Sequence, residues 1–572
     1  MCGITGVLYS DTQRIADRQV LQAMGDAIAH RGPDGEGFFR AANVGLVHRR
    51  LAIIDLTGGN QPISNEDESV QVVFNGEIYN FRELQRTLRS RGHQLRTNSD
   101  TEVLVHLYED HGPQLVRHLR GMFAFAVWDA RRQQLLLARD RVGLKPLYYY
   151  RDAEKLAFAS EIKAIRAVPG LKLDLDVQAV EDFLTYGFIP GERSIFRQIR
   201  KLPPGHILSV SRDNLQSSPE RYWKLTAEPD NSRSAEDWLE ALSAKFTETV
   251  DLHRIADVPV GAFLSGGMDS GGIVSELTTN GRPLQTFSIG FNEERFSELP
   301  YARAIAQHFG TTHTEEIVTP DAVQSLDQLL HFYDEPFADS SAVPTMHVSR
   351  LARKSVKVVL SGDGGDEAFG GYHRYAHDVK EARLRGMIPP CIRRSVLRQA
   401  ARIWPQTDFL PRVLRAKSTL TNLASDPAAA YANTMSLCRQ PLRRQLLSGD
   451  VRKMLNGYRP EAAVEGAFPQ SGDALKQMTE CDVNFVLPDD FLTKVDRAGM
   501  SVGLEVRPPL VDHEFLELAA GIPSRWKIRD GQSKWIFRQL VEKRLPDGIL
   551  NRPKQGFEIP VDQWLKTSLR PQ

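Results

Sequence analysis

Residues Val258 to Ser270, V-P-V-G-A-F-L-S-G-G-M-D-S, decide how this chain is read. The short apolar run Val260 to Leu264 predicts a buried strand. It breaks at Ser265, Gly266 and Gly267, and Gly271 to Leu277 then have the look of the opening turns of a helix. A glycine-rich loop between strand and helix aims several backbone N–H groups, and the helix dipole, at one anion. Ser265 and Ser270 add hydroxyl donors, and Asp269 offers the oxygen that a magnesium ion beside bound phosphates would need. The sequence has no G-x-x-x-x-G-K-[ST], so this is not the common phosphate loop. Taken by itself the hexapeptide also reads as a serine- and glycine-rich turn, and its surroundings have to decide.

Downstream, Thr286 to Phe291 predicts a second short strand, followed by a helix in which Leu299, Ala302, Ala306 and Phe309 recur at helical spacing. A third strand, Val356 to Leu360, runs into S-G-D-G-G-D-E-A-F-G-G-Y, Ser361 to Tyr372. Strands alternating with helices argue for a parallel sheet, which binds ligands at the carboxyl ends of its strands. Two such ends carrying Gly/Ser/Asp loops point to one nucleotide site between them. Upstream, Trp238, Leu239, Leu242, Phe246 and Val250 mark one face of a helix. The polar stretches Ser209 to Arg221 and Ala227 to Ser234 read as a linker. The expected division is a first domain over residues 1–215 and a second over 216–572.

At 572 residues the chain is too long for one ordinary core. Its 41% hydrophobic and 25% charged residues are those of a soluble globular protein. Zero formal net charge, with no block of like charges, gives no sign of nucleic acid or an anionic membrane as partner. Cys2, Cys391, Cys438 and Cys481 are too scattered for a disulfide framework or a zinc site. There is no apolar run of about eighteen residues and no signal-peptide layout at the start. The expectation is a cytoplasmic protein with reduced thiols.

The chain begins M-C-G-I-T-G-V-L-Y, with a strand predicted from Ile4 to Tyr9. Removing Met1 would put a thiol and a free α-amine on Cys2. An α-amine has a pKa of about 8, so it can act as base for the thiol beside it. An isolated cysteine at position 2 is by itself more often accidental, so further residues must support it.

That support is a series of motifs in order: Cys2-Gly3-Ile4, H-R-G-P-D from His30, the cations His48 to Arg50 before Leu51, N-G-E-I-Y-N from Asn75, and S-D-T-E from Ser99. Ser99 or Asp100 is expected to cap the helix that follows. G-M-F-A-F-A-V-W-D from Gly121, R-D-R-V-G-L-K-P-L-Y from Arg139 and S-E-I-K from Ser160 continue the series. Together they resemble the class II glutamine amidotransferase domain. The resemblance implies an αββα N-terminal-nucleophile hydrolase sandwich with Cys2 as nucleophile. It implies that the Asn75 side chain and Gly76 N–H stabilise the oxyanion, a task suited to neutral donors. Arg50 would take the glutamine α-carboxylate, Asp100 its α-ammonium, and Glu77 a further glutamine contact.

The second half is similar to the synthetase domain of the asparagine synthetases, with an ATP pyrophosphatase-like S-G-G-x-D-S loop. The match takes in S-G-D-G-G-D-E, Asp334 to Thr345, Asp489 to Val506 with R-P-P-L after it, and G-Q-S-K ending at Lys534. It implies an α/β parallel-sheet domain with a helical C-terminal part. Leu264 and Ile289 would flank adenine, and Ser361 and Gly362 would touch the adenylate. Ser265, Gly266, Gly267 and Ser270 would hold pyrophosphate, Asp269 and Asp366 magnesium, and Lys534 the phosphate charge. Asp363 stands where some relatives carry Glu as a candidate base, and its shorter side chain has less reach.

The resemblance, over residues 2 to about 566, implies a carbon–nitrogen ligase that takes glutamine, aspartate and ATP as substrates, with Mg2+. It would make asparagine through β-aspartyl-AMP and leave glutamate, AMP and pyrophosphate. The acceptor would sit against Asp334 to Thr345, with Arg507 on a carboxylate and Asp339 or Glu335 on the ammonium. A sugar acid or a peptide is the alternative acceptor, and an idle glutamine or nucleotide sensor the alternative class. Oligomeric state stays open, a homodimer included. Tyr375 to Cys481 reads as helical scaffold, and Cys391, Cys438 and Cys481 as buried or half-buried thiols. His30, His48 and His313 have no metal-ligand spacing.

Overall fold

The computed structural model describes residues 2–226, 228–318, 322–404 and 416–550. Residue 227 of the second polar stretch and the final segment Trp564 to Gln572 lie outside them.

The first half is built on two antiparallel sheets. One has the order β10-β8-β9-β1-β3-β2, from β1 (Gly3–Tyr9), β2 (Gly35–Ala41), β3 (Val44–Arg50), β8 (Tyr148–Arg151), β9 (Lys155–Ala159) and β10 (Ile199–Lys201). The other runs β12-β11-β7-β6-β5-β4, from β4 (Ile63–Ser64), β5 (Val70–Ile78), β6 (Gly121–Asp129), β7 (Gln134–Arg139), β11 (His206–Ser211) and β12 (Glu220–Arg221). Strand alternation sorts the side chains into layers. Ile4 and Leu8 of β1 meet Val73 of β5 and Trp128 of β6 in the core between the sheets. Val7 and Tyr9 face outward, onto the helix Arg18–Asp26 through Leu21 and Met24. Phe74 and Ile78 face the opposite way, under the helices Phe81–Ser90 and Val103–His111. The result is the expected αββα sandwich.

The polar stretch from Ser209 to Arg221 is not wholly linker. Ile207 to Ser211 pair with β7, and His206 and Ile207 pair with Arg221 and Glu220. Alternating burial of Leu208 and Val210 supplies the apolar face that the polar residues mask in sequence.

The helix Ala235–His253 opens the second half, with a Ser234–Asp237 capping box at its start. Its Trp238, Leu242, Phe246 and Val250 are buried. The sheet here is wholly parallel, in the order β15-β14-β13-β16-β17, from β13 (Val260–Phe263), β14 (Gln285–Gly290), β15 (Thr312–Ile317), β16 (Val358–Leu360) and β17 (Glu505–Arg507). Two strands escaped the sequence reading. β15 is an edge strand of mostly exposed polar residues, and β17 is three residues long with two charges.

The region from Tyr375 to Cys481 is helical in its described parts, as expected. Its apolar residues Tyr375, Tyr431 and Phe468 pack with Tyr186 and Phe188 of the first half. Buried Asp482 accepts from the Tyr375 and Tyr431 hydroxyls at 2.5 and 2.6 Å. Cys481 is buried and Cys438 half-buried, whereas Cys391 is exposed because its short helix packs nothing onto that side. No helix among the described residues is long and apolar enough to cross a membrane.

Candidate active sites

Cys2 sits at the head of β1, and Asn75 lies on the facing strand β5 of the other sheet. The Cys2 N–H donates to Asn75 Oδ1 at 2.9 Å. That bond settles the amide orientation, since the oxygen must face the donor. Asn75 Nδ2 is therefore the remaining group; it is buried and has no hydrogen-bond partner among the described residues. Gly76 follows in the strand, and a Cβ there would lie 2.0 Å from the Met122 carbonyl oxygen. Only glycine permits this backbone approach. The Cys2 thiol is buried, 4.0 Å from the Leu51 carbonyl oxygen, and burial pushes its pKa up.

Arg50 closes β3. Its guanidinium is gripped by the loop that follows, donating to the Leu56 and Asp55 carbonyls at 3.0 and 2.6 Å and to Asn60 Oδ1 at 2.8 Å. Asp100 Oδ2 accepts from the Ile78 N–H at 2.9 Å, and burial pushes its carboxyl up to about 6. Asp100 does not cap the next helix, which starts at Val103 without a side-chain cap. Ser99 Oγ instead accepts from Thr101 N–H at 3.1 Å, one residue before the helix cap at Glu102. Cys2, Arg50, Asn75, Gly76 and Asp100 thus lie on or beside adjoining ends of β1, β3 and β5. His48 is no cation: it is fully buried, and desolvation drives its pKa down to about 3.

Glu77 is buried with its carboxyl raised well above the usual range by desolvation, which the neighbouring Arg507 opposes. Arg507 Nη2 stands 3.1 Å from Glu77 Oε1. Arg507 also donates to the His253 and Ile255 carbonyls at 2.8 and 2.7 Å and pairs with Glu505. The expectation that Arg507 clamps an acceptor carboxylate therefore gives way. Fully buried on the edge strand β17, it is taken up by the junction between the halves.

In the second half, the loop after β13 and the loop after β16 pack backbone to backbone. A Cβ on Gly362 would come within 2.8 Å of Ser270 N and 2.9 Å of Asp269 Cβ. Ser265 Oγ and Ser270 Oγ are 3.0 Å apart, and Gly267 begins the helix Met268–Leu277. Lys534 Nζ lies 2.6 Å from Asp269 Oδ2 and 2.8 Å from Asp366 Oδ1, so one ammonium joins the two loops. Burial works to lower the Lys534 pKa, but the two carboxylates outweigh it and hold the charge in place. Its backbone is left-handed, at φ 54°, which orients the side chain at a cost of about 1 kcal/mol or more. Two hard carboxylates beside a phosphate loop are a donor set that fits magnesium.

Ser361 Oγ donates to Asp363 Oδ2 at 2.7 Å. Leu264 and Ile289 are both buried, on opposite faces of the sheet, and Ser288 Oγ holds the Leu264 carbonyl. Asp339 accepts from Ser341 N–H and from Lys494 Nζ, at 2.8 and 2.9 Å. Glu335 accepts from the Ile195 N–H at 3.1 Å, away from that pair. Sequence reading missed Glu367, Asp490 and Lys494. Burial raises both carboxyls to about 7, while Asp339, Asp490 and Asp363 hold Lys494 charged against its own burial. All three lie inside the matched stretches Ser361 to Glu367 and Asp489 to Val506, but nothing local marks them out from the other charges there.

A buried cysteine at the head of an αββα sandwich, followed by paired Asp/Gly loops on a parallel sheet, is the layout of a glutamine amidotransferase joined to a synthetase domain. The glutamine amidotransferase domain model matches residues 1–223, and the asparagine synthase model matches residues 241–572. The chain belongs to the asparagine synthase family. It is 32% identical over its full length to asparagine synthetase [glutamine-hydrolyzing] 1 of Bacillus subtilis, covering 88% of that protein. A second Bacillus subtilis relative, asparagine synthetase [glutamine-hydrolyzing] 3, is also 32% identical, over 99% of this chain and 90% of its own. Amidase chyE of Penicillium rubens is 28% identical, over 99% of this chain and 89% of its own.

Proposed function

We propose that the chain makes L-asparagine from L-aspartate, ATP and glutamine, with the residues above in the following roles. Cys2 Sγ attacks the glutamine carboxamide after loss of Met1, and its α-amine takes the thiol proton. The carbonyl oxygen gains its charge against Asn75 Nδ2 and the Gly76 N–H. Ammonia leaves as the thioester forms, and water then releases glutamate. Arg50 and Asp100 hold the α-carboxylate and α-ammonium, and Glu77 shapes the same pocket. The orphaned Asn75 donor, buried beside Cys2, is the observation that carries this reading.

In the second site a carboxylate oxygen of aspartate attacks the α-phosphorus of ATP, and pyrophosphate leaves. Leu264, Ile289, Ser361 and Gly362 border the adenylate, and Ser265, Gly266, Gly267 and Ser270 receive the pyrophosphate. Asp269 and Asp366 would hold Mg2+, which when bound neutralises phosphate charge; Lys534 does the same from the protein side. Ammonia then adds to the β-carbonyl carbon, loses a proton and expels AMP. Asp363, fixed by Ser361, faces that step as candidate base. Lys494, beside Asp339, replaces Arg507 as the cation nearest the acceptor. The reading places the enzyme in the cytoplasm, in keeping with four free thiols.

The test is pyrophosphate release with ammonia supplied, screened across aspartate, glutamate, sugar acids and small peptides. Release with aspartate is expected. Release only with a sugar acid or peptide would move the acceptor, and none with any acceptor would make the chain a sensor.

A further inference from the structure

On the outer face of the amidotransferase half, Glu66, His93, His106 and Glu109 bring one potential ligand atom each to within 4.8 Å of one another. His106 Nδ1 lies 3.4 Å from Glu66 and 3.3 Å from Glu109. His93 Nδ1 lies 3.6 Å from Glu66 and 3.8 Å from Glu109. Four ligands at zinc bond lengths, set tetrahedrally, would stand about 3.3 to 3.6 Å apart. The ligands come from three places in the chain. Glu66 follows β4, His93 follows the Phe81–Ser90 helix, and His106 and Glu109 share a face of the Val103–His111 helix.

What lies behind each ligand matters as much. His93 Nε2 is 3.1 Å from Asp110 Oδ1, and His106 Nε2 is 3.8 Å from Glu102 Oε1. Asn65 Nδ2 donates to Glu109 Oε1, and the Gln94 N–H donates to Glu66 Oε1, each at 2.9 Å. A carboxylate behind the far ring nitrogen is the usual support of a metal-bound histidine. Asp110 is so placed behind His93 Nε2, whereas Glu102 stands too far from His106 Nε2 to bond it. Both inward Nδ1 atoms stand within 3.8 Å of the Glu66 and Glu109 carboxylates, so a cation at the centre would meet nitrogen and oxygen donors together. One divalent ion satisfies all four groups.

We propose that Glu66, His93, His106 and Glu109 form a binding site for a divalent transition-metal ion, zinc foremost, separate from both reaction centres. Mixed imidazole and carboxylate ligands favour zinc over magnesium or calcium, which prefer oxygen alone. The ion ties together the two ends of the segment from His93 to His106. That segment carries Asp100, so the site braces the residue assigned to the glutamine ammonium. The bracing role rests on that assignment; metal binding does not.

The test strips the full-length protein with chelator and titrates it with zinc chloride, counting bound metal after gel filtration. One zinc per chain is expected, together with the visible absorption of tetrahedral cobalt when cobalt is used instead. His93→Ala should remove that ion. Asp110→Asn, which leaves all four ligands in place, should weaken it by about 10-fold or more. No zinc beyond the His93→Ala level, or an Asp110→Asn protein that binds as wild type, would overturn the site. If zinc binds but its removal leaves the KM for glutamine unchanged in a glutaminase assay, the site stands and the bracing role fails.

Discussion

Arg31 and Asp496, 465 residues apart in sequence, form a two-point ion pair at 2.9 and 3.1 Å with no exposure to solvent at the arginine. Arg31 comes from the H-R-G-P-D loop of the first half, and Asp496 from the Leu492–Met500 helix of the second. The same arginine reaches Glu161 at 2.8 Å, and Glu161 in turn reaches Arg497 at 3.0 Å. Arg31 Nε also donates to the Cys2 carbonyl at 3.2 Å, so the nucleophile hangs from the junction. Removing one partner of such a buried pair costs about 3–5 kcal/mol, because the other charge is left without compensation. Arg31→Ala should therefore lower the denaturant midpoint markedly and reduce the asparagine formed per glutamine hydrolysed. An unchanged ratio, measured on folded protein, would show that the pair does not couple the two sites.

Cys2→Ala should abolish synthesis from glutamine and leave synthesis from ammonia largely intact. Only the first site uses the thiol, and loss of a sole nucleophile costs about 10⁴-fold or more. Glutamine-dependent product above roughly 10% of wild type would remove Cys2 from its role, since so small a loss does not fit that cost. Intact mass should also show Met1 missing from the active protein.

Asp100 should set an acid limb on glutaminase activity. Its carboxyl titrates at about 6, raised from 3.8 by burial, so it is charged above that pH and neutral below. An ammonium partner needs the charged form. Hence kcat/KM for glutamine should lose a further tenfold or so per pH unit below 6, on top of the loss that protonating the Cys2 α-amine brings below about 8, because this ratio reports the free enzyme. Asp100→Asn should lower kcat/KM throughout and erase the added loss below 6, leaving the α-amine limb. A variant that keeps the added loss would assign it to another group.

Asp269→Asn and Asp366→Asn should each remove synthesis with both nitrogen donors while glutaminase activity stays measurable. Each breaks a contact to Lys534, at 2.6 or 2.8 Å, within the phosphate site, far in function from Cys2. A variant forming product at the normal rate, with the normal magnesium requirement, would exclude that residue as a metal ligand.

Local sequence was enough for the elements that make their own pattern. The strand and loop at Val260 to Ser270, the helix at Trp238 and the strand from Ile4 declare themselves through apolar runs, apolar periodicity and glycine breaks, because those signals arise from neighbours in the chain. The ordered motifs likewise placed Cys2 and Asn75 in one site, and Asp269 with Lys534 in another. Tertiary structure alone decided where long-range charge goes. Arg507 looks like a substrate clamp in sequence, yet β17 enters the sheet beside β16 and delivers its guanidinium to Glu77 and two carbonyls. The zinc ligands are just as silent, since Glu66 and His93 meet the His106 helix only when the chain folds over the second sheet. A charge has no periodicity to betray its partner; its role is set by which distant charge packing brings within a few ångströms, and by how much water packing takes away.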